Sequence, residues 1–144
     1  MQVAIKNAKI VLGVSAGIAV YKAVEILRLL VKEGADVRVV MSANAGKFVT
    51  PLTFEALSGN PVYHSLFDSQ NSADMEHIRV AENADLLVVA PATASMLGKM
   101  AHGLADDALS NLHLAFKGSV LVAPAMNEGM WEHPAVKNNI DILK

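Results

Sequence analysis

Two side chains draw attention for their chemistry. Asn127 lies in the stretch "APAMNEGMW", Ala123 to Trp131, just past the apolar run Val120-Leu121-Val122. Methionine, tryptophan and proline there can all be packing. An amide flanked by Met126 and Met130 does not fit that reading and asks for a polar partner. His77, in "ADMEHIRVAENAD", is an imidazole that can give or take a proton near neutral pH. It is open to a structural or merely exposed reading as well as a catalytic one. The other histidines, His64, His102, His113 and His133, show no pair four residues apart, no accompanying acidic cluster and no cysteine. That pattern argues against a metal site.

Hydroxyl and small residues gather just after apolar runs. "GVSAGIAVYK", Gly13 to Lys22, is a small-residue turn feeding a helix. Free backbone N–H groups and the helix dipole at such a turn favour an anion, and Ser15 adds a hydroxyl. The stretch is neither GxGxxG nor a P-loop, and a tight strand-to-helix turn is the alternative reading. Ser42 follows the next run and either caps the following segment or faces the same anion. Ala92, Thr93, Ala94 and Ser95 leave room for backbone to approach a flat ligand, although Thr93 or Ser95 can equally cap a helix. Asp106 and Asp107 read as capping or solvated residues.

The elements that position these groups follow from hydrophobic periodicity. Ile10-Val11-Leu12, Val37 to Met41, Leu86 to Ala90 and Val120 to Ala123 are nearly continuous apolar runs, the pattern of parallel strands buried on both faces. From Ile18 to Glu33, Lys22, Glu25, Arg28 and Lys32 form one polar stripe, and Gly34 stops the helix. Thr50-Pro51 opens a helix through Leu57, ended by Gly59. Asp74 caps another that runs to Asn83. Ala94 to His102 and Asp106 to Phe116 form two more, broken near Gly103, and Pro134 opens the last, reaching Leu143. Strands alternating with helices predict a doubly wound α/β fold with ligands at the carboxyl ends of the strands.

Composition bounds the remaining possibilities. With 144 residues, 53 % of them hydrophobic, the chain reads as one domain with a sizeable core. Net charge is −2 and no basic tract occurs, which argues against nucleic acid. No apolar run reaches the ~18 residues of a membrane span. "MQVAIKNAKI" shows no apolar leader core or cleavage signal, so the expected setting is the cytoplasm. The apolar surplus points to a subunit interface.

Taken together, the loops resemble the homo-oligomeric flavin-containing cysteine decarboxylases, over Lys9 to about Leu143. "GVSAGIAVYKA" is similar to the family's first loop, with Ala16 at a usual glycine. "MSANAGKFVTPLTFEALSGNPV" matches its second segment, and "MEHI" the segment of its active-site histidine. "PATASM" matches its PASANT motif, with Ser95 where Asn or Asp is expected. "PAMNEGMW" matches PxMNxxMW in full.

The resemblance implies a Rossmann/flavodoxin-like doubly wound parallel sheet, three-layer α/β/α, binding FMN. It implies a homo-oligomer, a trimer or dodecamer, with the flavin near a subunit boundary. Residues 1–144 would be a single flavoprotein domain whose C-terminal substrate flap, with its cysteine, is absent. Carried over, Ser15, Gly17 and Ile18 line the phosphate and ribityl region, and Ser42 approaches the phosphate. Phe48 and the Ala92–Ser95 loop lie near the ring. His77 is the catalytic base. Asn127 binds the carboxylate of a small cysteinyl substrate, walled by Met126 and Met130. Flavin oxidation of the thiol to a thioaldehyde supplies the electron sink that decarboxylation needs. Within the family the loops look most like the branch acting on phosphopantothenoylcysteine in coenzyme A biosynthesis. A lantibiotic-type peptidyl-cysteine decarboxylase, or an idle FMN-binding regulatory homologue, is the alternative.

Overall fold

A computed structural model describes the backbone of residues 5–66 and 72–144, and their side chains apart from 72–74, 76 and 77. Among the described residues, β1 (Lys9–Val14), β2 (Asp36–Met41), β3 (Leu86–Ala92) and β4 (Ser119–Pro124) form one sheet in the order β2-β1-β3-β4. All three pairings are parallel, with Val11 opposite both Arg38 and Leu87, and Val88 opposite Leu121.

The two-residue period of a strand explains the layers. Ile10, Leu12, Val14, Val37, Val39, Met41, Val88 and Ala90 point to one side, where α1 (Val20–Lys32) and α2 (Pro51–Ser58) bring Leu27 and Phe54 against them. Val11, Val40, Leu87 and Val89 point to the other, against Leu97 of α4 (Ala94–His102) and Leu109 and Leu112 of α5 (Ala108–Ala115). The same side receives Ala81 from α3 (Ser72–Glu82) and Val136 from α7 (Pro134–Leu143). This is the doubly wound α/β/α arrangement anticipated from the strand and helix alternation. Glycines stop α2 and α4: Gly59 and Gly103 take φ of 72° and 68°, a left-handed conformation that costs other residues more.

Three expectations are corrected. β4 is not buried on both faces: Val120 is 38 % and Leu121 57 % exposed. It is an edge strand whose main packing partner is β3, and an apolar run alone does not distinguish edge from centre. The first helix begins at Val20 rather than Ile18, because a turn in which Val20 N–H donates to Gly17 O precedes it. Asp74 lies inside the first turn of α3, which begins at Ser72. Two short elements were not anticipated, a 3₁₀ turn at Ala45–Lys47 and α6 (Glu128–Glu132).

Adjacent strands β1 and β3 send their chains to opposite sides, β1 to α1 and β3 to α4. A crevice at their carboxyl ends follows from that divergence.

Candidate active site

The crevice is closed at its base by Ser15. This residue is 1 % exposed. Its Oγ donates to Pro91 O and accepts from Thr93 N–H at 3.0 Å, so one hydroxyl fastens the loop after β1 to the loop after β3. Its proton is therefore engaged within the chain. Gly17 passes close to the same loop: a Cβ there would sit 3.2 Å from Thr93 Cγ2, so a larger residue would push the two loops apart.

The loop after β2 forms the next wall. Ser42 N–H donates to Val14 O at 2.9 Å. Its side chain is almost fully buried, and its hydroxyl has no hydrogen-bond partner among the described residues. It lines a cavity of about 230 Å³ shared with Ser15, Ala16, Ala43, Asn44, Thr93 and Ser95. The Ser42 hydroxyl opens onto that cavity and is left to bond a ligand atom there. The cavity also receives the first turn of α4, where Thr93 Oγ1 accepts from Met96 N–H at 3.2 Å. Thr93 thus acts as the helix cap, the alternative that its position left open, while Ser95 stays exposed at the rim.

Two charged side chains complete the lining. Asp107 is 6 % exposed and caps α5: Oδ1 accepts from Ser110 N–H at 2.8 Å, and Oδ2 from Ala43 N–H at 3.4 Å. Lys99 Nζ lies 2.9 Å from Asp106 Oδ1 and 3.7 Å from Asp107 Oδ2. Its hydrogen bond to Asp106 holds the ammonium above the usual lysine range and Asp106 below the usual carboxylate range. Sequence reasoning missed Lys99. Its spacing four residues after Ser95 puts both on one helix face, but which face closes a cavity depends on the fold.

The other anticipated residues lie outside this lining. Ala92 is buried at the end of β3, and Ala94 opens α4. Ile18 and Phe48 are 79 % and 49 % exposed, facing solvent in the single chain. Ala125 N–H donates to Ala92 O at 3.0 Å, which sets the "APAMNEGMW" loop beside the end of β3. Asn127 caps α6, its Oδ1 accepting from Met130 N–H at 2.9 Å; no described residue bonds to its Nδ2. Met126 packs against the core on the α4 and α5 side, while Met130 is exposed. The backbone of His77 belongs to α3, and its side chain lies outside the described residues. Other histidines have structural surroundings: His133 Nδ1 accepts from Ala135 N–H, His102 Nε2 meets Asn139 Oδ1 at 2.8 Å, and burial lowers the pKa of His113.

A family model described as Flavoprotein matches residues 2–144. The chain is 50 % identical over 139 residues to the coenzyme A biosynthesis bifunctional protein CoaBC of Bacillus subtilis (strain 168), covering 96 % of this chain and 34 % of that protein. The corresponding protein of Escherichia coli (strain K12) is 47 % identical over 135 residues, 94 % of this chain and 33 % of its own length. The chain thus spans about a third of these curated relatives. Among solved structures, the FMN-dependent cysteine decarboxylase SpaF superposes with a TM-score of 0.86 at 33 % identity, over 97 % of this chain and 81 % of that one. A PPC decarboxylase mutant complexed with pantothenoylaminoethenethiol superposes with a TM-score of 0.81 at 30 % identity, over 96 % and 78 %.

Proposed function

The chain belongs to the Flavoprotein family, and from that footing we propose that it binds FMN and decarboxylates phosphopantothenoylcysteine, a step of coenzyme A biosynthesis. The observation that carries the reading is the cavity where β1, β2 and β3 end, lined by the hydroxyl residues Ser15, Ser42, Thr93 and Ser95. Its volume suits the phosphate and ribityl end of FMN and is below the usual range of ~300–1,000 Å³ for a whole ligand site. Phe48 and the Ala92–Ser95 loop would hold the ring outside the cavity. The higher identity to the coenzyme A proteins than to the peptidyl-cysteine decarboxylase EpiD, 50 % against 26 %, favours phosphopantothenoylcysteine over a peptide substrate.

When bound, FMN supplies the two-electron sink that lets the thiol-bearing carbon be oxidised before carbon dioxide leaves. The chain's own residues bind, orient and move protons. Ser42 would donate to the phosphate, and Ser15 and Gly17 would hold the loops that shape its channel, with Ile18 outside the cavity lining. His77 is the base that takes the thiol proton. Asn127 holds the substrate carboxylate. Because its Oδ1 caps α6, its Nδ2 is the end left to donate to that carboxylate. The assembly that goes with this reading is a homotrimer or a dodecamer, and the setting is the cytoplasm.

The test is direct. The purified chain should be yellow and release FMN on denaturation. Incubation with phosphopantothenoylcysteine should give a product lighter by carbon dioxide where reduced flavin returns its electrons, or by carbon dioxide and two hydrogens where oxygen takes them, read by mass spectrometry. His77→Asn should keep the colour and lose that product. Colourless protein that takes up no added FMN defeats the reading, as does unchanged substrate with the flavin bound.

A further inference from the structure

The cavity holds two charges to which the flavin reading gives no task. Asp107 cannot leave: its Oδ1 accepts from Ser110 N–H at 2.8 Å and from Ser110 Oγ at 2.7 Å, and its Oδ2 from Ala43 N–H. This nearly buried carboxylate lines the same cavity as the free Ser42 hydroxyl. A phosphomonoester entering there meets a fixed like charge beside it, and like charges repel.

Lys99 is the sole cationic side chain lining the cavity among the described residues. Its nearer partner, Asp106, is 69 % exposed, and a surface pair of that kind is easily exchanged. An ammonium has three donors, so Lys99 can keep Asp107 and turn another donor to a phosphate oxygen. We propose that Lys99 is a specificity-determining residue, the counter-charge that lets the cavity accept a phosphorylated flavin beside Asp107 and prefer it to the unphosphorylated one. The proposal rests on the flavin reading above and adds a residue to it. A neutral ribityl end feels neither the repulsion nor the compensation, so the preference for phosphate resides in Lys99.

The experiment compares FMN with riboflavin, each titrated by fluorescence quenching into the wild-type chain, Lys99→Met, Lys99→Arg and the double variant Lys99→Met with Asp107→Asn. Thermal melting of each variant is recorded alongside. Lys99→Met is expected to weaken FMN at least about tenfold and leave riboflavin within about twofold. The arginine variant keeps the preference. The double variant regains much of the lost FMN affinity, because removing Asp107's charge removes the repulsion that Lys99→Met exposes. Asn at 107 retains an oxygen to cap α5, so the double variant still reads out if Lys99→Met alone fails to fold. An unchanged preference in Lys99→Met overturns the proposal. So does an equal loss of both flavins, which is the mark of a purely structural residue, and so does a double variant no better than Lys99→Met. Wild-type protein that binds neither flavin overturns the functional reading itself, and is told apart because no variant is needed to see it.

Discussion

At Asn127 one amide has two ends with different tasks. Oδ1 caps α6, while the proposed substrate carboxylate needs Nδ2. Asn127→Asp separates them, since aspartate caps a helix about as well as asparagine but offers no donor and repels a carboxylate. The expected outcome is an unchanged melting temperature and FMN affinity, with substrate affinity lower by about tenfold or more. Unaltered substrate affinity removes Asn127 from carboxylate binding. Asn127 was conspicuous in the sequence because an amide between two methionines, past an apolar run, has no packing rationale. Asp107 was legible as a cap, which the structure bears out. Lys99 was not legible as a cavity residue. A lysine in a helix ordinarily belongs to a solvated face, and only the fold shows that this face closes a cavity.

At the scale of elements, Ser15 joins β1 to β3 through residues 76 and 78 positions away. Ser15→Ala leaves the Thr93 N–H without its partner, while the Pro91 carbonyl keeps the backbone N–H of residue 15 at 3.3 Å. A loss of about 1–3 kcal/mol in unfolding free energy is expected, read from the denaturant midpoint, together with weaker FMN binding as the two loops loosen. An unchanged midpoint means that the clamp contributes nothing. The sequence carried most of the elements because their periods are strong. The polar stripe of α1, the apolar strands and the glycine stops each state a local rule that the fold obeys. It did not carry α6, whose five residues are too few for a period to register. Nor did it carry the exposure of β4, because apolarity along one strand is silent about its neighbours. The hydroxyl of Ser15 was legible as a feature of the crevice, but its bonding across two loops depends on strand order, which no local window contains.

Over the whole molecule, apolar side chains remain in solvent: Ile18, Tyr21, Phe48, Leu52 and Leu121 are all about half exposed or more. An apolar surface of that kind accords with association. The expected species in solution is a trimer or a higher multiple of three, by light scattering, and dissociation should release FMN. A monomer that retains FMN tightly contradicts this. Composition made the surplus legible but not its location, since a single chain's pattern does not say which face another chain covers. The cavity has a further consequence. Its walls come from residues near positions 15, 42, 93 and 107, so an occupant braces segments that the sequence keeps far apart. Whatever binds the folded chain and not the unfolded one adds stability by mass action, about 2.7 kcal/mol when it is present at a hundred times its dissociation constant. Unfolded chain is the form that proteases consume. A cell short of vitamin B2 would therefore hold less of this protein, and restoring the vitamin would lengthen its lifetime without any change in its synthesis.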